Sequence, residues 1–239
     1  MKPFKFKEFS VEQSKTAMKV GTDAVLLGAW CSLADFPNSI LDIGSGTGVI
    51  SLMIAQRCDA LTIDAVEIDD NAYEQTVENF ERSDWGDRLY CYNASFLEFV
   101  EEMNEEEETY DFIVSNPPFY TDEYESNSVS RNKARFTSSL SFENLIKGVS
   151  KILSLNGRFA VIIPFKEEIN FIENAKKYNL ILNRCCHVQG NLSSNVKRSL
   201  LEFSFHSKEI IKEHLIIEKG RHLYTEDYIN LTKDFYLKM

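Results

Sequence analysis

The chain has 239 residues, 44% of them apolar and 26% charged, which suffices to bury a sizeable core in one α/β domain with additions. A formal net charge of −11 excludes a protein that coats nucleic acid non-specifically, because phosphate binding rests on Lys and Arg neutralising backbone charge; a local basic face stays open. Residues 1–7 are polar and basic, and no apolar run approaches the roughly 20 residues that span a bilayer, so a cytoplasmic protein without a membrane partner is expected.

Near the N-terminus, Thr22-Asp23 precedes the apolar run AVLLGAW and reads as a helix N-cap. Backbone N–H groups at such a start suit a carboxylate ligand; a simple capped helix lying on a sheet explains the same residues equally well. From about residue 40 onward, apolar runs alternate with segments of helical period, the pattern of a mostly parallel, doubly wound sheet covered by helices. SILDIG (39–44) is a first strand and GVISLMIAQRC (48–58) its helix. LTIDAVEID (61–69) is a second strand, followed by an amphipathic helix over 70–84. RLYCYNAS (88–95) and YDFIVSN (110–116) are the third and fourth strands. Between them, the acidic run Glu101, Glu102, Glu105–Glu108 reads as a solvated helix end or loop. A helix over 141–155 is expected to stop at Asn156-Gly157, where glycine suits a left-handed cap. GRFAVIIP (157–164) is the fifth strand, 166–179 a helix and LILNRCCHVQ (180–189) the sixth strand. GNLSSNV has the composition of a loop, and RSLLEFSFH (198–206) follows as a seventh strand with no helix between, which implies an antiparallel hairpin at one sheet edge.

Five cysteines, Cys31, Cys58, Cys91, Cys185 and Cys186, show no metal-ligand or CxxC spacing and are expected to be reduced and mostly buried. Cys185 and Cys186 are strand neighbours and point to opposite faces. His187, His206, His214 and His222 show no ligand spacing either, so no metal is expected.

Three stretches carry chemistry. In LDIGSGTGVIS (41–51), Gly44, Gly46 and Gly48 stand between strand and helix, where glycine permits a tight turn and close approach of a ligand. The spacing GxGxG differs from the dinucleotide pattern GxGxxG, which weakens a pyrophosphate reading and an oxidoreductase with it. Glu67, in VEIDDNA (66–72), ends the second strand at a distance from the glycine turn that lets a carboxylate accept both hydroxyls of a ribose. A cap for Asp42 and a surface position for Glu67 are the plainer readings of each residue alone. SNPPFY (115–120) stops a core strand on two prolines. Asn116 Oδ1 and the Pro117 carbonyl can accept the two hydrogens of a planar amino group, while Pro117 and Pro118 stiffen the pair and Phe119 offers a ring to stack on a base. Transfer to such a nitrogen is hard because its lone pair is delocalised, and this arrangement localises it.

These motifs and their order resemble class I methyltransferases, which implies a Rossmann-like, seven-stranded mostly parallel sheet with an antiparallel C-terminal hairpin strand and S-adenosylmethionine as cofactor. By that resemblance Lys19, Thr22, Asp23, Asp42, Gly44, Gly46, Gly48, Glu67, Ile68, Ser95 and Asn116 would surround the cofactor, with Ile68 on its adenine. Ser95 stands near where many relatives carry an acid for the adenine amine. Asn116, Pro117, Pro118 and Phe119 would be catalytic. FKEFSVEQSKTAMKVGTDAVLLGAW, FIVSNPPFY, VKRSLLEF and the tail LYTEDYINLTKDFYLKM further resemble the bacterial tRNA (adenine-N6)-methyltransferases that modify adenosine 37 of valine tRNA. The resemblance implies residues 1–35 as a segment over cofactor and substrate, 36–239 as catalytic core, and a monomer acting on tRNA. Lys5, Lys7, Arg131, Lys133, Arg135, Lys197 and Arg198 become candidate tRNA contacts, with the glutamate run facing away. Methylation of guanine N2 in ribosomal RNA, methylation of a release-factor glutamine, and a non-catalytic RNA-binding module are the competing readings.

Overall fold

The computed structural model describes residues 2–118 and 140–239; Phe119, Arg131, Lys133 and Arg135 lie outside the described residues. A short antiparallel pair, β1 (Phe4–Lys5) and β2 (Ser10–Val11), opens the chain. The Phe6 ring stacks on Phe9 at 4.6 Å and on Tyr236 at 5.9 Å, which ties the first residues to the last ones. Helix α1 (Thr22–Trp30) follows, then β3 (Ser39–Ile43), α2 (Val49–Arg57), β4 (Thr62–Glu67), α3 (Asp70–Glu81) and β5 (Leu89–Asn93). Next come α4 (Phe96–Glu105), β6 (Tyr110–Ser115), α5 (Phe142–Ile152), β7 (Leu153–Pro164), α6 (Glu168–Lys177), β8 (Ile181–Asn191) and β9 (Val196–Ser204). The chain closes with β10 (Ile211–Gly220), β11 (Leu223–Tyr224) and α7 (Glu226–Thr232).

Among the described residues, nine strands form one sheet in the order β11-β10-β8-β9-β7-β6-β3-β4-β5. The expected seven are all present, and β9 runs antiparallel to both β7 and β8. The order reverses at β3, which pairs in parallel with β4 on one side and β6 on the other. Crevices at the C-terminal ends of strands open at such a reversal. Side-chain alternation divides the core. Ile40 and Val114 pack with α1 and α2 on one face, Leu41 and Ile113 with α4, α5 and α6 on the other. Cys185 and Cys186 fall in opposite layers, as neighbours on a strand must, and the described cysteines are free thiols.

Three local expectations are corrected. The β8–β9 hairpin is not the sheet edge, because β10 pairs in parallel with β8, and β11 pairs antiparallel with β10. β10 reads IKEHLIIEKG, whose charged positions fit an outer strand that keeps one side wet. Asn156-Gly157 does not cap a helix: α5 ends at Ile152 and the chain passes directly into β7 through both residues, while positive φ among the described glycines is confined to Gly44, Gly46 and Gly48. Gly190 and Asn191, read as loop, belong to β8.

The α4–α5 contact is close enough to need a glycine. A Cβ added at Gly148 would collide with Phe96 Cε1 and sit 3.2 Å from Val100 Cγ2, both buried. Alanine favours a helix interior by about 1 kcal/mol, yet overpacking costs about 1–3 kcal/mol, so Gly148→Ala should lose stability on balance. Calorimetry should show a melting midpoint lowered by a few degrees, on the order of 2–4 °C per kcal/mol at this size; an unchanged midpoint contradicts the packing.

Candidate active site

At the switch between β3, β4 and β6 lies a cleft of about 520 Å³, lined among others by Gly44, Gly46, Glu67, Ile68, Ser95, Asn116, Pro117 and Pro118. Its floor is the turn after β3. Gly44, Gly46 and Gly48 hold φ of 74°, 58° and 74°, a left-handed region that other residues enter only under strain. A Cβ built on Gly44 or Gly46 meets nothing within 4 Å, so bare backbone borders the space a ligand would take. Gly48 plays a different part, since it is the N-cap position of α2 and a Cβ there would meet Phe80 Cε1 at 2.7 Å.

Glu67 ends β4 with both carboxylate oxygens engaged. Oε2 accepts from Gly46 N and Oε1 from Asp69 N, each at 2.9 Å. Each oxygen keeps a further lone pair for a ligand hydroxyl. Ile68 follows, half-exposed at the cleft, and Asp69 caps α3 by accepting from Ala72 N at 2.9 Å. Under the turn, Asp42 is 1% exposed; its Oδ2 accepts from Ser51 Oγ at 2.7 Å, while Oδ1 has no partner among the described residues. Burial pushes its carboxyl up to about 7, opposed by the Ser51 hydrogen bonds and aided by the nearby Glu67 charge. The opposite wall is the end of β6, where Ser115 Oγ donates to the Ile43 carbonyl at 2.9 Å and sets the level at which Asn116-Pro117-Pro118 leaves the sheet.

The remaining candidates divide. Ser95 lines the cleft, but its side chain belongs to the capping box of α4, in which cap and third helical residue satisfy each other. Its Oγ donates to Glu98 Oε2 at 2.7 Å and accepts from Glu98 N at 3.2 Å. Lys19, Thr22 and Asp23 stand back from the cleft, which is walled instead by Thr16, Ala17 and Met18. Gly21, not Thr22 or Asp23, occupies the N-cap position of α1, without a side-chain cap. Asp23 Oδ2 accepts from Arg198 Nε at 2.7 Å, so those two predicted residues serve each other. Lys7 Nζ donates to the Lys233 carbonyl, and Lys7 borders a hollow with Gln56 and Arg57 at the C-terminal end of α2, remote from the glycine turn that starts that helix. Lys5 is exposed on β1 and Lys197 on β9.

Sequence spacing points to no metal, yet the fold gathers Glu168, Cys185 and His187, whose ligating atoms lie within 4.8 Å of one another. His187 Nε2 bonds Glu168 Oε2 at 2.8 Å, and Ser199 Oγ donates to the same oxygen. The cluster is thus a satisfied hydrogen-bond network joining α6 to β8 and β9. Two residues that spacing alone missed are Met18 and Leu97; both line the cleft, 60% and 42% exposed.

A glycine turn, an acidic strand end and an Asn-Pro-Pro wall at the switch of such a sheet define a methyltransferase. Residues 14–184 match the family model of the methyltransferase small domain. A Christiangramia forsetii protein is 55% identical over 237 residues, covering 99% of this chain and 98% of its own; it bears the name tRNA1(Val) (adenine(37)-N6)-methyltransferase. A Flavobacterium johnsoniae protein of the same name is 55% identical over 99% of this chain and 100% of its own. The fold itself matches that of a predicted O-methyltransferase from Agrobacterium tumefaciens with a TM-score of 0.68 at 18% identity, over 89% of this chain and 96% of that one. The chain belongs to the methyltransferase small-domain family and, within it, to the tRNA1(Val) (adenine(37)-N6)-methyltransferases.

The Asp42 carboxyl makes stability depend on pH in the direction opposite to a salt-bridged acid. From its ordinary 3.8 up to about 7, the unfolded chain releases this proton while the folded chain keeps it. The unfolded state then binds fewer protons, so stability from this group is complete below the lower value, falls by roughly 1.4 kcal/mol per pH unit through the window and is level above it. Asp42→Asn removes that slope. In urea melts of the ligand-free proteins, the variant should gain on the parent between about pH 5 and about pH 7 and gain nothing more by about pH 8; parallel profiles would show that Asp42 ionises normally.

Proposed function

We propose that this chain transfers the methyl group of S-adenosylmethionine to the exocyclic N6 of adenosine 37 in a valine tRNA. The observation that carries the reading is the juxtaposition, across one cleft, of the glycine turn and Glu67 with Asn116, Pro117 and Pro118. The cofactor would supply a methyl group on a sulfonium, an electrophile that needs no metal and loses its charge on transfer. In this reading the bare edge of Gly44 and Gly46 accommodates it, Glu67 accepts the ribose hydroxyls on its free lone pairs, and Ile68 with Leu97 covers the adenine. Asp42 lies below the turn, bonded to Ser51. Thr16, Ala17 and Met18 replace Lys19, Thr22 and Asp23 as the N-terminal contribution.

On the acceptor side, Asn116 Oδ1 takes one amino hydrogen and the Pro117 carbonyl the other, which turns the nitrogen lone pair out of conjugation and towards the methyl group. Proline suits this role because it fixes φ and leaves its carbonyl unclaimed by a helix. The product cation is acidic enough to lose its proton without a tuned base, so orientation accounts for the rate. Phe119, next in the chain, is the ring for the extruded base. Ser95 is the N-cap of α4 at the cleft, and the helix that follows carries the chain away from it before the run Glu105–Glu108. The setting proposed is cytoplasmic, with the whole chain acting as one domain; no helix among the described residues is long and apolar enough to cross a membrane.

Purified protein with labelled cofactor should label tRNA from a strain lacking the gene, in N6-methyladenosine. No label in tRNA, from protein that binds the cofactor, sinks the substrate assignment. Asn116→Ala should cut the transfer rate on the order of 100-fold or more, as loss of one oriented polar group does elsewhere, with cofactor affinity nearly unchanged by calorimetry. Glu67→Ala should weaken cofactor binding at least about tenfold, since hydrogen bonds to a charged acceptor are involved. The opposite pattern for the pair would show the two roles exchanged.

A further inference from the structure

Segment 13–20 contains no helix or strand, yet it is stitched into a closed loop. Lys19 Nζ donates to the carbonyls of Gln13 at 2.6 Å and Thr16 at 2.5 Å, and Val20 N donates to Gln13 Oε1 at 2.9 Å. Its tip, Thr16 to Met18, is the cleft wall. The stripe of α3 that faces the protein reads Ala72, Gln75, Thr76, Asn79, Phe80, in which three of five buried positions are polar. That spacing is the inward face of an amphipathic helix. Gln75, Thr76 and Asn79 are 1%, 0% and 1% exposed. Buried amides are costly unless bonded, so their partners show what they are for.

Gln75 Oε1 accepts from Lys15 N at 3.2 Å and Ser14 Oγ at 3.4 Å, both in the loop. Asn79 accepts from Glu12 N at 2.9 Å and donates to the Glu12 carbonyl at 2.8 Å, just before the loop; it also donates to the Thr47 carbonyl of the glycine turn at 2.9 Å. Thr76 Oγ1 donates to the Gly46 carbonyl at 3.0 Å. Neither Gln75 nor Asn79 lines the cleft. The exposed ion pairs of Lys15 with Glu74 and Glu78 also join loop to helix, but pairs in water hold little.

We infer that Gln75 and Asn79 are positioning residues for cofactor affinity: through them α3 sets the 13–20 loop at a fixed distance from the glycine turn, and the cleft has its third wall only while both amides are bonded. The inference rests on the reading that the cleft takes S-adenosylmethionine. Met18, Ile68 and Leu97 are 60%, 50% and 42% exposed around its mouth, apolar surface that a bound cofactor would cover only with the loop in place.

Two variants test it. Asn79→Asp keeps the acceptor for Glu12 N but turns both donations into a charge against two carbonyls. Gln75→Leu keeps volume and removes the acceptor. Each should weaken S-adenosylmethionine binding about tenfold by calorimetry, the equivalent of one or two lost hydrogen bonds. Turnover at saturating cofactor and tRNA should stay within about twofold, a KM effect without a kcat effect. Amide hydrogen exchange in residues 13–20 should quicken in both variants and slow again when cofactor is added. Glu74→Gln, which breaks an exposed ion pair, should leave affinity at the parent's value. If the variants melt earlier but bind as tightly as the parent, the amides are merely structural and the inference fails. It also fails if Glu74→Gln weakens binding as much as they do. Failure of the unmodified protein to bind S-adenosylmethionine would overturn the cofactor reading together with this one, whereas tight binding by parent and variants alike overturns this one only. Should Asn79→Asp not fold, Gln75→Leu, which leaves the bonds to the glycine turn intact and besides the loop loses only a donation to Glu78 on the same helix, decides.

Discussion

The Glu67 carboxylate is the constraint on which the cleft depends. It sits at the end of β4 and reaches in two directions at once, to Gly46 N in the turn after β3 and to Asp69 N at the start of α3, both at 2.9 Å. The turn holds three glycines at positive φ, and glycine makes the few conformations open to it nearly equal in energy. The carboxylate selects one. Because hydrogen bonds to a charged acceptor are about twice as strong as neutral ones, a single side chain can restrain a turn in which every second residue is glycine.

Beneath the same turn lies a group that is expensive to bury. Asp42 lies on a central strand with one oxygen bonded to Ser51 and the other without a partner among the described residues, and its proton is retained up to about 7. An asparagine or a leucine would be easier to accommodate in a ligand-free core. Under the proposed function, a cationic sulfonium in the cleft above would compensate the charge that burial disfavours, which gives a carboxyl poised to ionise near neutrality a use. The cost is local. Ser115, one strand away, is satisfied by the Ile43 carbonyl, so the wall that presents Asn116 does not share it.

What is legible in the sequence is what is decided locally. The glycine spacing, the acid at the end of the second strand and the Asn-Pro-Pro stop each act through backbone torsions or strand ends within a few residues, and the structure brings all three to one cleft. The seven strands β3 to β9 follow from alternation of pattern. Contacts decided at a distance are not legible. Lys19, Thr22 and Asp23 have suitable chemistry, but Lys19 is consumed inside its own loop and Asp23 by Arg198, 175 residues away. Ser95 has suitable chemistry too, but Glu98 three residues on makes it a capping box, a signal that is present in the sequence. Asn156-Gly157 misleads because an Asn-Gly pair near the start of a strand resembles the same pair after a helix. β10 escapes pattern reading because its charges mask a strand that only the far edge of β8 reveals.

One signal is present and easily passed over, the buried stripe of α3. An amphipathic helix needs its inward positions apolar for stability alone, since an apolar residue gains on burial while an amide at best breaks even. Gln75, Thr76 and Asn79 at those positions therefore mark a helix whose inner face holds loops in place, and their partners prove to be the glycine turn and the N-terminal loop. Directional bonds can do what apolar contact cannot, since a hydrophobic stripe would let either segment slide. The chain thereby joins a floor and a wall of the cleft that are distant in sequence, through one helix that does not itself meet the cleft at those positions. The glycine turn is thus held from two sides, by Glu67 at the strand end and by α3 behind it, and only the second of these also holds the loop.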